Sequence, residues 1–179
     1  MIAKTCSIYP SPFGPMALAA SCKGLTNCYF VNESITTKNM PKGDFSEHGA
    51  LILMQAEFQL REYFAGHRYS FEDLPLDLHH YGTNFQRDVW KALQDIPYGT
   101  TNSYLDIAMK IKNPKAVRAV GSANNKNPVL IIVPCHRVIG NDGTLKGYGG
   151  GANIKKGMLQ LEGWEQLKED VKYKKENAK

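Results

Sequence analysis

The sequence predicts a chain of two unlike halves: an α/β front part, a small sheet plus one helix, followed by a mostly α part with a helix-turn-helix. Three observations predict it. Short strand-like runs parted by Pro- and Gly-bearing turns precede a single long helical pattern. From Thr83 onward the pattern becomes helical, with capping and stop signals. Between the last two helical patterns an apolar run, "PVLIIV" at 128–133, drives into Pro134, Cys135, His136 and Arg137.

In the front half, "AKTCSIYP", "PMALAAS" and "LTNCYFVNE" read as strands, and "SEHGALILMQAEFQLREYFAG" as a helix closed by Gly66. "RYSFEDLPLDLHHYG" reads as a further strand and then a linker. Nothing in this half carries a chemical signature, so it reads as a scaffold. After the division near residue 82, Thr83 and Gln86 form a capping box. Phe85, Val89, Leu93 and Ile96 make one apolar stripe, and Pro97 stops the helix. "TNSYLDIAMKI" predicts a short helix packing through Leu105 and Ala108, and "KNPK" a turn with Asn113 as N-cap and Pro114 at the first helical position. The helix that follows is unusual. Ala116, Ala119, Gly121, Ser122 and Ala123 are small, while Lys115, Arg118 and Lys126 are basic. A mid-helix glycine costs about 1 kcal/mol relative to alanine, which a close approach to the backbone would account for; helix-on-helix packing and nucleic-acid contact both satisfy that.

The 179-residue chain has a net charge of +5, which suits a polyanionic partner without requiring one. The opening "MIAKTCSIYPSPFG" has no secretory pattern and no stretch reaches the apolar length of a membrane span, so a reducing, intracellular setting is expected, cytoplasmic or, in a eukaryote, nuclear. Cys6, Cys22, Cys28 and Cys135 form no CxxC pair and no ordered spacing with histidine, so no metal is expected. Cys6, Cys22 and Cys28 read as small buried hydrophobes.

Cys135 is different. The apolar run carries it from the core toward a surface bounded by the "GNDG" turn and the "GYGGG" cluster. Adjacent side chains do not face one another on a helix or a strand, so direct transfer from Cys135 to His136 needs a bend at Pro134 or a bridging water. Glu162, in the last turn of the helix "NIKKGMLQLEG", is the candidate to orient His136. If the pair poises the thiol, its pKa falls below the reference of about 8.5. From these residues alone, a nucleophile and a core thiol both stand.

"PCHRV" preceded by "RAVGSANNKNP" and followed by "GYGGG", together with "FQRDVW", "IPYGTT", "SY" and "IA", resembles the O6-alkylguanine-DNA alkyltransferases. The likeness runs from Phe85 to Gly163; ahead of it only "SPFGPMALAAS" and "REYFAG" match loosely. The resemblance implies a ribonuclease-H-like α/β scaffold at 1–80, a DNA-binding and alkyl-acceptor domain at 81–164 and a basic tail at 165–179. It implies that Cys135 is the nucleophile and alkyl acceptor, joined to His136 and Glu162 through water. It implies that Tyr104 helps extrude the nucleotide and protonates the departing guanine, and that Asn127 ties the DNA-binding helix to the active-site segment. Arg118 would fill the gap left by the base, with Lys115, Ala119, Ser122 and Ala123 on the same minor-groove face. Val138, Tyr148, Gly149 and Gly150 would line the pocket. The implied partner is double-stranded DNA bearing O6-alkylguanine or O4-methylthymine, met by a monomer, without cofactor, once per molecule. Some relatives carry a front-domain zinc; Ser21 and Thr26 stand where two of its ligands belong, although Cys6, His79 and His80 remain. A damage-recognising relative without transfer would lack Cys135. A major-groove regulator would need base-reading polar side chains, in which "AVRAVGSAN" is poor. A cysteine hydrolase would be unusual with adjacent Cys and His.

Overall fold

The computed structural model describes residues 5–31, 46–79 and 81–164; the basic tail at 165–179 and His80 lie outside the described residues. Strands β1 (Thr5–Ser11), β2 (Gly14–Ser21) and β3 (Gly24–Phe30) form an antiparallel meander in that order. Helix α1 (Glu47–Phe64) packs on all three strands. It starts where the Ser46 hydroxyl accepts from Gly49 N at 3.1 Å and ends ahead of Gly66, whose φ of +75° is the left-handed conformation that closes helices.

The expected strand near 68–78 is not a strand. Its one bridge joins Leu76 to Leu25, through Leu25 N to Pro75 O and Leu25 O to Asp77 N. Pro75 has no N–H to extend the ladder. Ser21 donates to Asp77 at 2.7 Å and Thr26 to the Ala19 carbonyl at 3.0 Å, so both hydroxyls are engaged within the fold and do not fit a zinc site. Cys22 corrects another expectation: it lies exposed in the β2–β3 turn, whereas Cys28 is buried.

The rear half begins with α2 (Asn84–Gln94), opened by the expected Thr83–Gln86 capping box. It continues through β4 (Asn102–Ser103), α3 (Tyr104–Lys110), a 3-10 turn (Pro114–Ala116), α4 (Val117–Asn125), a second 3-10 turn (Cys135–Arg137), β5 (Val138–Ile139) and α5 (Ala152–Leu161). Ser103 caps α3 in a second capping box with Asp106. Two local expectations change. Asn113 makes no side-chain cap, because the 3-10 turn intervenes before α4. Leu105 is exposed, and Ile107 takes its place beside the expected Ala108 on the packed side of α3. Trp90 on α2 donates its indole N–H to the Ala123 carbonyl at 2.9 Å, fixing α4 against α2.

One core runs through both halves, from Leu18 and Leu60 to Val89, Val129 and Cys135. The edge of β3 also receives the apolar run: Cys28 N donates to Pro128 O at 2.9 Å and Leu130 N to Cys28 O at 2.7 Å. The run is buried but coils rather than extends, with Ile132 N bonded to Leu130 O and Val133 N to Val129 O. Ile131 sits at φ +73°, a conformation that costs a β-branched residue on the order of 1–3 kcal/mol. That reversal delivers the next residues, Pro134 and Cys135, inward.

Candidate active site

Cys135 opens the second 3-10 turn and is 1% exposed. Asn127, just beyond α4, binds three points at once. Its Nδ2 donates to Cys135 Sγ at 3.1 Å and to Val133 O at 2.8 Å, and its Oδ1 accepts from Val129 N at 3.0 Å. Asn124, on α4, donates to the Cys135 carbonyl at 3.3 Å. The helix-turn-helix and the thiol are therefore one hydrogen-bonded unit.

His136 is wholly buried and does not face Cys135 along the turn; its Nε2 lies 2.8 Å from Glu162 Oε1. Glu162 follows α5 directly. Arg137 grips the same carboxylate, Nε to Oε2 at 2.9 Å and Nη2 to Oε1 at 2.9 Å, while its Nη1 donates to Ile96 O at 2.6 Å. Gly99 N donates to Glu162 Oε2 at 3.2 Å; at φ +72°, a Cβ there would come within 2.9 Å of the Glu162 carbonyl. Tyr63, from α1 in the front half, donates to Oε1 at 2.5 Å.

Burial alone would raise the Glu162 carboxyl, but the bonds from His136 and Arg137 and the guanidinium charge of Arg137 override it and hold the group down at about 2. An ionised carboxylate only accepts. Nε2 therefore carries the imidazole proton, and burial, which lowers the His136 pKa, keeps Nδ1 as a bare lone pair. Nδ1 has no protein partner. The arrangement is a neutral imidazole, oriented from behind, with a free base nitrogen.

The thiol itself departs from expectation. Burial pushes Cys135 up to about 11, with the Asn127 bond and the Lys155 charge opposing that rise. It rests as a thiol rather than as a thiolate poised below its reference value. Lys155 on α5 was not legible as a site residue: it is fully buried, donates Nζ to Val138 O at 2.6 Å and Lys146 O at 3.1 Å, and burial lowers it to about 8. Tyr104, half-buried at the start of α3, is raised to about 12 by burial and by Cys135, so its phenol keeps its proton.

The remaining expected residues divide. Lys115, Arg118, Ala119 and Ser122 are exposed on the turn and α4. Ala123 is not: at 1% exposure it packs inward, because its carbonyl is held by Trp90. Val138 is fully buried in β5, paired to Asn102, and contributes its carbonyl to Lys155 rather than a side chain to an open wall. Tyr148 is also buried, its ring edge-on to His136 at 6.4 Å, while Gly149 is exposed and Gly150 half-buried against Phe30. Among the described residues no group of His, Cys, Asp and Glu could hold a metal ion.

The carboxylate sets an acid-stability prediction. Glu162, held at about 2 against an ordinary 4.5, contributes stability above pH 4.5 that is lost as pH falls toward 2. The shift corresponds to on the order of 3 kcal/mol. His136, lowered from 6.5, adds a loss that begins below its unfolded value. Thermal melts from pH 7 downward are expected to fall in both windows. Glu162→Gln is expected to lose about 3–5 kcal/mol at pH 7, since Arg137 keeps its charge without its partner, but to flatten between pH 4.5 and 2. An equal slope in the variant would assign the acid transition elsewhere.

A buried thiol bonded through Asn127 to the end of a helix-turn-helix with an exposed basic face, and beside it an imidazole oriented by a carboxylate, define a protein organised around a single cysteine. Residues 84–164 match the family model described as 6-O-methylguanine DNA methyltransferase, DNA binding domain, and residues 4–78 the one described as its ribonuclease-like domain. The chain belongs to the 6-O-methylguanine DNA methyltransferase family. The methylated-DNA–protein-cysteine methyltransferase of Methanosarcina acetivorans is 47% identical over 157 residues, covering 88% of this chain and 97% of that protein. That of Mycobacterium leprae is 48% identical over 157 residues, covering 88% and 91%. The crystal structure of Mycobacterium tuberculosis O6-methylguanine methyltransferase superimposes with a TM-score of 0.77 at 42% identity, covering 95% of this chain and 98% of that one. The Mycobacterium tuberculosis structure in complex with DNA gives 0.74 at 47% identity, covering 87% and 90%.

Proposed function

We propose that the protein repairs O6-alkylguanine, and with it O4-methylthymine, in duplex DNA by moving the alkyl group onto Cys135, once per molecule and without cofactor. The observation that carries this reading is the bond from Asn127 to Cys135 Sγ, which joins the thiol to the exposed basic face of α4. Residues 1–80 act as the scaffold and 81–164 as the working domain, in a monomer of the cytoplasm. Lys115, Arg118, Ala119 and Ser122 meet the minor groove. The damaged nucleotide is flipped out, since its reacting atom is unreachable in the stack, and enters beside Tyr148, Gly149 and Gly150.

The Cys135 proton passes through water to His136 Nδ1, whose imidazolium is stabilised by Glu162. Sγ attacks the alkyl carbon in line; the S–C bond forms as the C–O6 bond breaks, and the electron pair leaves with guanine. Tyr104 gives that guanine a proton and regains one from the His136 side, so nothing is oxidised or reduced. Because the thiol rests protonated, proton removal belongs to the transfer step, and the Lys155 charge favours the thiolate at that moment. The product thioether has no leaving group that a hydrolytic step could use. Incubating the protein with an O6-methylguanine duplex should add one methyl mass per chain, on the Cys135 peptide alone. Sustained turnover, or a methyl on Cys6, Cys22 or Cys28, would overturn the reading.

Gly121 gives a separate test of groove contact. The Tyr104 ring lies over it, but a Cβ there would sit 3.7 Å from that ring, an ordinary contact. The protein's own packing thus does not require glycine. Gly121→Ala is expected to raise stability by up to about 1 kcal/mol and to weaken duplex binding, since the added methyl meets the groove wall. A variant that melts higher and binds equally well would remove Gly121 from the interface.

A further inference from the structure

We infer that Tyr63, a front-half residue, is a positioning residue of the proton relay: its hydroxyl holds Glu162 Oε1 and thereby sets how strongly His136 Nδ1 binds a proton. The inference rests on His136 acting as the base. Tyr63 lies 99 residues before Glu162 and is wholly buried on α1, yet it makes the shortest bond to the carboxylate, 2.5 Å. That bond falls on the same oxygen that receives His136 Nε2 at 2.8 Å. Arg137 donates to Oε1 as well, through Nη2 at 2.9 Å and Nε at 3.2 Å. Donors that share one oxygen compete: density drawn toward the phenol, the shortest of these bonds, is unavailable to the imidazole N–H.

The other groups around the relay are fixed in ways that leave this one adjustable. Arg137 spans both carboxylate oxygens and is pinned by Ile96 O. Lys155 faces from α5 and disfavours imidazolium through its charge. Cys135 and Tyr148 adjoin His136, and burial keeps both protonated. Tyr98 turns its hydroxyl to Leu161 O at 3.1 Å and its ring to Arg137, and so gives the carboxylate no bond. Tyr63 is raised well above 10 by burial and by Glu162, so it donates at every pH of interest. The rings of Phe64, Phe71 and Tyr98 pack within 6 Å of its own and fix its aim.

Removing the hydroxyl returns electron density to Oε1. Glu162 then stabilises imidazolium more, and the proton affinity of His136 rises. Since the base must be neutral to act, the acid limb of transfer moves to higher pH. The test is the rate of alkyl transfer from free O6-benzylguanine across pH, which needs no DNA. Tyr63→Phe is expected to move the limb up by about one unit, a tenfold slower rate below the midpoint, with the plateau retained. Site-specific 3-fluorotyrosine, a stronger donor of the same shape, is expected to move it down, and carries the test if Tyr63→Phe fails to fold. A purely structural tyrosine would scale the whole profile without moving its midpoint, and that outcome overturns the inference. His136→Gln separates the two readings. If the limb survives that change it does not report His136, and the relay falls together with the tyrosine. If the limb disappears in His136→Gln but Tyr63→Phe leaves the midpoint in place, the relay stands and Tyr63 only packs.

Discussion

Cys135→Ser is expected to bind an O6-methylguanine duplex as the wild type does and to transfer no methyl group. The two halves of that outcome have separate causes. Serine keeps the shape at the start of the 3-10 turn, and Asn127 Nδ2, 3.1 Å from Sγ, can donate to Oγ as well. The exposed residues of α4 are tied to this segment through Asn124 and Asn127, whose contacts reach the Cys135 carbonyl, the Val133 carbonyl and the Val129 N–H and so survive the change. The DNA face therefore keeps its form. The chemistry does not survive. A thiol raised to about 11 already needs His136 and Lys155 to reach its reactive form; a hydroxyl binds its proton far more tightly and is a weak nucleophile without a stronger base. None of the other cysteines substitutes. Cys28 is buried in β3 with its pKa raised by that burial, and Cys22 is in the β2–β3 turn. The measurement is peptide mass after incubation, beside a duplex titration of the same protein. Methyl appearing on another cysteine, or a serine variant that no longer binds, would show that the thiol and the DNA face are organised differently.

The sequence carried the site in unequal measure. For Cys135 the apolar run left nucleophile and core thiol both open and only the resemblance chose between them, whereas the pairing of His136 with Glu162 was readable because the acid stands at a helix C-terminus, where it needs a partner. The structure supplies that partner at 2.8 Å. Arg137 stood in the quoted motif without a role, since a bidentate grip on Glu162 depends on where α5 ends, which only packing decides. Lys155, in "NIKKG", was given no role from the sequence; in the fold two carbonyls from the Val138–Lys146 stretch converge on its buried Nζ. Tyr63 gave no signal, since its partner is 99 residues away. The capping box at Thr83 was local and was read correctly. The strand expected near residue 70 failed because a β-like composition does not specify an edge to pair with, and the one available edge of β3 is shared with Pro128–Leu130. Ala123 looked like part of a smooth small-residue face, and the indole of Trp90 turned it inward.

Arg118→Ala is expected to slow repair of an O6-methylguanine duplex strongly and to leave the reaction with free O6-benzylguanine nearly unchanged. Arg118 is exposed near the start of α4, one helical turn before Ser122 and on the same side. None of the bonds that hold Cys135, His136 and Glu162 comes from it. Its expected effect therefore runs through DNA rather than through the thiol. Extruding a base costs a few kcal/mol of stacking and pairing, and an inserted guanidinium offsets part of that. Losing about 1.5–3 kcal/mol of the offset corresponds to roughly 10- to 100-fold in rate. Free base needs no extrusion, so its rate tests the chemistry alone. Removing one charge near the phosphates should also flatten the salt dependence of duplex binding by up to about one unit of slope. Lys115→Ala, at the adjoining turn, should show that salt effect with a smaller loss of repair, because a phosphate contact does not fill the gap in the stack. The measurement is the ratio of duplex to free-base rate constants in the wild type and in each variant. If Arg118→Ala lowers both rates equally, the arginine supports the thiol or the fold, and another residue on this face must hold the opened duplex.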